Sequence, residues 1–275
     1  MLLTLLGTGC PKVDNNRFGP SNLISSKKSN ILVDCGSGVT QRLEEAQIST
    51  ADIDALLLTH LHSDHVVDFY QLIISSWHSY RIKPWKVYGP KGTKKFLNKI
   101  MDAWKDERSL RIKYEARSST DAFKLDIKEF SEYGKIKIKD IKLEYFRVNH
   151  FPVKYAYGFN FYNNKKKLTI SGDTKPCENL MKYAQLADVL LHEVYIEGEI
   201  QPATKMRSAK TLHNVKAYHT TSSQVGKVAS LTRCKKLVLT HFVPTKFDEK
   251  KLQSLVKKDF GKNPIIGKDL LKISI

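Results

Sequence analysis

The tightest constraint on this chain lies in its first quarter, where Leu56, Leu57, Leu58 and Thr59 run into His60, followed by His62, Asp64 and His65. A short apolar run reads as a buried strand, and its end delivers side chains with period two, so His60 and His62 leave it on one side. The turn that follows offers Asp64 and His65 to a neighbouring point. Imidazole and carboxylate are ligand types that suit zinc. A site built only from nitrogen and oxygen leaves room for water, where a thiolate site usually does not. Three histidines and an aspartate within six residues therefore point to two adjacent metal positions served from one turn.

The rest of the chain supplies a frame for that turn. Residues 2–6 and 30–34 read as buried strands, ended by Gly7, Thr8 and Gly9 and by Gly36, Ser37 and Gly38, with a polar loop over 10–21 between them. Helical spacing covers 39–47 and 64–80, and recurs after Gly92 in Phe96, Leu97, Ile100 and Trp104. From Gly134 the pattern changes to period two, with Lys on the wet face of strands over 135–139 and 141–146. A hairpin is expected over 155–171, helices over 180–186, 222–231 and 248–260, and strands over 187–192 and 236–240, the last ending at His241. Strands precede helices in both halves, which suggests two sheets covered by helices on their outer faces. No linker, repeat or low-complexity segment interrupts the pattern, so a single domain over 1–275 is expected.

Charge bears on the partner. Lys and Arg number 46 against 28 Asp and Glu, a net charge of +18 that draws polyanions such as nucleic acid or an anionic substrate. Because the lysines are spread along the chain, plain solubilisation explains them equally well. The four cysteines form no Cys-x-x-Cys pair, which fits a reducing compartment. The opening apolar stretch has no basic region before it and meets Gly7 too soon for a secretory signal, and no apolar run approaches the ~20 residues that span a bilayer. A cytoplasmic protein without a membrane partner is expected.

The run His-x-His-x-Asp-His after an apolar strand resembles the metallo-β-lactamase superfamily. That resemblance implies an α/β fold, an αββα four-layer sandwich of two mixed β-sheets flanked by helices. It also implies a ligand set: His60, His62 and His150 for one zinc, Asp64, His65 and His241 for the other, with Asp173 bridging. Two Zn²⁺ ions are the implied cofactors, with Mn²⁺ or Fe²⁺ as alternatives.

Four further segments resemble the ribonuclease Z and arylsulfatase-like branch: Val87 to Pro90 leading into a helix, His150-Phe151-Pro152 followed by Tyr157-Gly158-Phe159, Leu191 to Val194, and Tyr218 to Thr221 before a helix. By that resemblance Glu193 and His219 act together. A carboxylate that fixes the tautomer of an imidazole and raises its pKa makes it a proton donor to a leaving oxygen. Asp64 would steer the proton of the nucleophile while also ligating metal. The implied enzyme is a binuclear-zinc hydrolase in which a metal-bridging hydroxide attacks a phosphodiester, or a related sulfate or phosphate ester, with an anionic ester as substrate and RNA as a candidate one. The resemblance also implies a homodimer. Two alternatives stand beside this reading: a tRNA 3′-processing endoribonuclease, or a non-catalytic nucleic-acid or metabolite-binding module. Bacterial ribonuclease Z enzymes carry a tRNA-gripping arm between the third metal histidine and the bridging aspartate. Here the interval from His150 to Asp173 is only 23 positions, filled by one hairpin, which favours a small diester. Of the remaining histidines, His192 is read as a packing or capping residue and His78 as part of an aromatic helix face. His213 falls in a polar stretch, 201–216, read as a loop over the site.

Overall fold

In the computed structural model, which describes residues 1–200 and 208–275, the two halves of the chain each build one sheet. The first contains β1 (Leu2–Gly7), β2 (Ser21–Ser25), β3 (Asn30–Val33), β4 (Ala55–Leu57), β5 (Trp85–Gly89) and β6 (Leu125–Glu129). The second contains β7 (Tyr133–Ile138), β8 (Ile141–Arg147), β9 (Tyr157–Asn163), β10 (Lys166–Ile170), β11 (Val189–Tyr195), β12 (Lys236–Val243) and β13 (Ile265–Ile266). The last strand, β14 (Lys272–Ser274), returns to pair with β1. Strand order is β14-β1-β2-β3-β4-β5-β6 in one sheet and β13-β12-β11-β10-β9-β8-β7 in the other. Both sheets are mixed. The first turns parallel from β3 onward, and the second joins three antiparallel pairings to parallel β10, β11, β12 and β13.

Alternation along the strands explains the layers. Ile31 and Val33 of β3 enter a central cluster with Leu57, Phe159, Leu168 and Leu191, whereas Leu32, between them, packs outward with Leu43, Phe69 and Leu72. On the second sheet Leu190, Leu237 and Leu239 pack outward against Leu180, Val228 and Leu252. Each such side chain taken from water contributes roughly 1.5–3 kcal/mol. Helices α1 (Val39–Glu45), α2 (Ser63–Val66), α3 (Phe69–His78), α4 (Thr93–Ala103) and α5 (Lys105–Glu115) follow strands of the first sheet. Helices α6 (Glu178–Tyr183), α7 (Ala209–Lys216), α8 (Val225–Leu231) and α9 (Glu249–Phe260) follow strands of the second. The result is the four-layer αββα arrangement. Among the described residues no helix is long and apolar enough to cross a membrane.

Three local readings change. The helix expected over 64–80 breaks after Val66, because the Asp68 N–H is taken by the Cys35 carbonyl and its carboxylate by the N–H and hydroxyl of Thr40. The stretch holding His213 is not a loop where it is described: Ser208 caps α7 by accepting from the Thr211 N–H, and His213 lies within that helix. Residues 201–207 lie outside the described residues. Strands β2, β6, β13 and β14 have no counterpart in the sequence reading.

Candidate metal centre

The His60–His65 turn is fixed by its neighbours before any ion is considered. Leu58 N–H donates to the Tyr88 carbonyl, Cys35 N–H donates to the His65 carbonyl, and Tyr157 N–H from the second sheet donates to the Thr59 carbonyl. Asp34 ties the turn together. Its carboxylate accepts from the Thr59 N–H at 2.8 Å and the Thr59 hydroxyl at 2.9 Å, and meets His65 Nδ1 at 2.9 Å. Asp34 has φ of 61°, a left-handed conformation that surrounding structure must hold for a non-glycine residue. The hydrogen bond at Nδ1 leaves His65 Nε2 for a ligand, the usual role of a carboxylate behind a metal histidine.

The second sheet delivers its groups singly. His150 follows β8, and its Nδ1 meets the Tyr218 carbonyl at 2.9 Å, leaving Nε2 free to face His62 Nδ1 at 3.3 Å. Asp173 follows β10 through Gly172, which has φ of 60° and where a Cβ would meet the Tyr157 carbonyl oxygen at 2.4 Å, so only glycine fits. His241 lies on β12, and Glu193 on β11.

All seven residues read as ligands converge on one centre. Asp173 Oδ2 lies 3.9 Å from His60 Nε2, 3.5 Å from His65 Nε2, 3.9 Å from His150 Nε2 and 3.3 Å from His241 Nε2. His241 Nε2 also lies 3.3 Å from Asp64 Oδ2. Ligands about 2.1 Å from one tetrahedral ion sit about 3.4 Å from one another, so separations of 3.3 to 3.9 Å fit a shared cation. Groups of three able to hold an ion are His60, His62 and His150; His60, His65 and Asp173; Asp64, His65 and His241; and His150, Asp173 and His219. His60 Nε2 and His65 Nε2 are buried without a hydrogen-bond partner, a costly arrangement that a divalent cation would relieve.

Electrostatics agree with that fit. Burial, with the charges of its histidine neighbours, holds the His60 imidazole well below its usual pKa. Burial also opposes charge on His241, yet Asp173 and Asp64 push it up to about 9. Burial disfavours the Asp173 carboxylate too, but His241 and His65 hold it well below the usual carboxylate range. Without a cation the cluster can balance its carboxylates only with protons. A divalent ion supplies that charge and displaces them.

Beside the ligands, Glu193 Oε1 accepts from the Thr174 N–H at 3.0 Å and the Thr220 N–H at 3.1 Å, and meets His219 Nδ1 at 3.1 Å. Burial opposes protonation of His219, but Glu193 outweighs it and raises the imidazole above its usual value. His192 faces the other way along β11; its Nδ1 meets the Glu193 carbonyl at 2.7 Å. His78 lies exposed at the end of α3, beside Arg117. A cavity of about 840 Å³ opens over the centre, lined among the described residues by Lys12, Asp64, Glu199, Tyr218, His219 and Lys246. In the sequence Asp34 shows only as part of a strand turn and Thr59 only as the end of a strand. An aspartate ending one strand beside a threonine ending the next was the available signal.

Residues 1–214 match the family described as anti-Pycsar protein Apyc1. A curated ribonuclease Z from Mycolicibacterium gilvum (strain PYR-GCK) is 31% identical over 278 residues, which take in 99% of this chain and 96% of that protein. Among solved structures, the metallo-β-lactamase fold protein YhfI of Bacillus subtilis superposes with a TM-score of 0.77 at 18% identity, covering 99% of this chain and 98% of that one. The short form of human tRNase Z superposes with a TM-score of 0.74 at 22% identity, covering 100% and 99%.

Proposed function

We propose, for a chain that belongs to the family of the anti-Pycsar protein Apyc1 and to the ribonuclease Z branch of the metallo-β-lactamase superfamily, that two zinc ions and a Glu193–His219 pair hydrolyse a small anionic phosphodiester. That it is a metal-dependent hydrolase of phosphodiester bonds follows from the family. The finer reading rests above all on Asp173 Oδ2, a single carboxylate oxygen within 3.3 to 3.9 Å of ring nitrogens from both histidine groups. His60, His62 and His150 would hold one ion, Asp64, His65 and His241 the other, and Asp173 both. A pair of divalent ions lowers the pKa of water towards neutrality and neutralises charge on the nonbridging phosphate oxygens.

The chain's own groups do the rest. Asp64 would help to hold the second ion and steer the proton of the attacking water. His219, its Nδ1 held by Glu193, presents Nε2 to the departing alkoxide, and the Glu193 carboxylate raises its pKa, favouring the protonated form that a general acid needs. Lys12 and Lys246, at the rim of the cavity, attract the anionic substrate. A cavity of about 840 Å³ is in the range of small-molecule sites.

A second reading, tRNA 3′ processing, has one observation in its favour. The alignment with the mycobacterial ribonuclease Z has 278 positions and uses 99% of this chain, which leaves that relative no room for a long arm either. Parallel assays of the zinc-loaded protein separate the readings. Bis(p-nitrophenyl) phosphate should be cleaved at least as readily as precursor tRNA, and p-nitrophenyl sulfate more slowly. Efficient, position-specific cleavage of precursor tRNA at near-physiological salt would promote the second reading instead.

A further inference from the structure

His241 is held in a conformation that its own strand does not provide. In the pairing of β11 with β12, Glu193 lies opposite Thr240 and Val194 opposite Phe242, so His241 is bulged out between them, with φ of 46°. A bulge re-aims a side chain, and a left-handed histidine persists only where its surroundings over-determine it. The restraint comes from the first sheet. Phe242 N–H donates to the Thr8 carbonyl at 3.0 Å, and the Thr8 N–H and hydroxyl donate to Asp269 Oδ1 at 2.9 and 2.7 Å.

Arg17 closes this arrangement. One guanidinium nitrogen donates to the Thr8 hydroxyl at 2.9 Å and to the Gly267 carbonyl at 2.7 Å, and another to Glu249 at 3.1 Å. The guanidinium carbon lies 4.3 Å from the centre of the Phe242 ring. Gly267 N–H donates in turn to the Leu239 carbonyl of β12 at 2.9 Å. Arg17 thus grips β12 on both sides of the bulge, through Gly267 before it and the Phe242 ring after it. The side chain is 9% exposed and forms no bond to any ligand residue.

We propose that Arg17 is a positioning residue for the metal site. By fixing Thr8 and the Phe242 ring it sets the bulge that brings His241 Nε2 to 3.3 Å from both Asp64 and Asp173, and so sets the affinity of that ion position alone. The position formed by His60, His62 and His150 does not depend on it. A lysine cannot replace it, because one ammonium cannot hold Thr8 and Gly267, reach Glu249 with a second nitrogen and also lie flat on the Phe242 ring. This inference rests on the two-ion reading above.

The test is stepwise Co²⁺ binding to chelator-stripped protein, followed by visible absorption, for wild type, Arg17→Lys, Arg17→Gln and Arg42→Gln. Arg42 lies 3.4 Å from Asp269 but touches neither Thr8 nor β12, and serves as the control. In both Arg17 variants one of the two binding steps should weaken by about 10- to 100-fold, with an altered spectrum for that equivalent. The other step and all steps of Arg42→Gln should match wild type. If Arg17→Gln fails to fold, Arg17→Lys carries the comparison. Unchanged binding in Arg17→Lys, or equal weakening of both steps with a lowered melting temperature of the metal-free protein, overturns the role of Arg17. A wild type that takes up a single ion refutes the two-ion reading instead.

Discussion

On the first sheet, four of the proposed ligands arrive from one turn of six residues, and Asp34, at the adjacent strand end, braces that turn through Thr59 and His65. On the second sheet, His150, Asp173, Glu193 and His241 each come from a different strand or the loop after it, and His219 from the segment before α8. The first arrangement is local and survives small shifts between the sheets. The second exists only when β8, β10, β11 and β12 are in register, and it needs special backbone at Gly172 and His241. Ion holding is concentrated where geometry is cheapest to fix. The proposed proton-donating pair sits where tertiary packing can tune a pKa, since Glu193 gathers two backbone N–H groups and one imidazole.

That contrast can be broken by mutation. The largest effect should come from His60→Ala, which removes a ligand from the centre of the turn: metal content should fall, and kcat/KM with it by more than about 10³-fold, since losing a ligand exceeds the 10- to 100-fold cost of a supporting residue. Full metal content in the purified variant would mean that the turn is not the anchor. His219→Ala, from the other region, should keep the metal yet slow cleavage of a diester with a poor leaving group by about 10²-fold or more, the usual range for general acid catalysis. With p-nitrophenolate leaving, the loss should be much smaller. Equal slowing of both substrates would make His219 a binding residue, and loss of metal would make it a ligand, as its nearness to His150 and Asp173 allows.

The same comparison accounts for what could be read from sequence. The first region was legible because period-two alternation and a turn act over six residues, so His60, His62, Asp64 and His65 announce themselves. His150, Asp173 and His241 were legible only through the resemblance to the metallo-β-lactamase superfamily, which expects further ligands in that order at strand ends. The bracing was not. Asp34 and His65 are 31 residues apart, and Arg17 meets Gly267 across 250. Strand β2 escaped notice because Ser21, Asn22 and Ser25 surround only two apolar residues, although Ser21 and Asn22 are buried in the sheet. Helix α7 escaped because none of its residues is buried, so no apolar stripe marks it.

Two smaller effects sharpen the comparison. Asp34→Asn loses the charge behind His65 but keeps a side chain of similar size, and should weaken ion affinity by about 10- to 100-fold in a competition titration against a chelator. Wild-type affinity would show that the turn's backbone bonds suffice without the carboxylate. Glu193→Gln should show the leaving-group dependence of His219→Ala in weaker form, about 10-fold, because the imidazole stays in place but is less basic and less well aimed. A loss that does not depend on the leaving group would instead trace to the Thr174 and Thr220 N–H groups that Glu193 also anchors.

The central claim is that both regions together hold two ions and that catalysis needs both. Chelator-stripped protein titrated with Zn²⁺, with bound metal and bis(p-nitrophenyl) phosphate hydrolysis followed in the same samples, tests it most directly. Two equivalents per chain should bind, and activity should approach its maximum only as the second is taken up. Full activity at one equivalent, with no second ion bound, would contradict it.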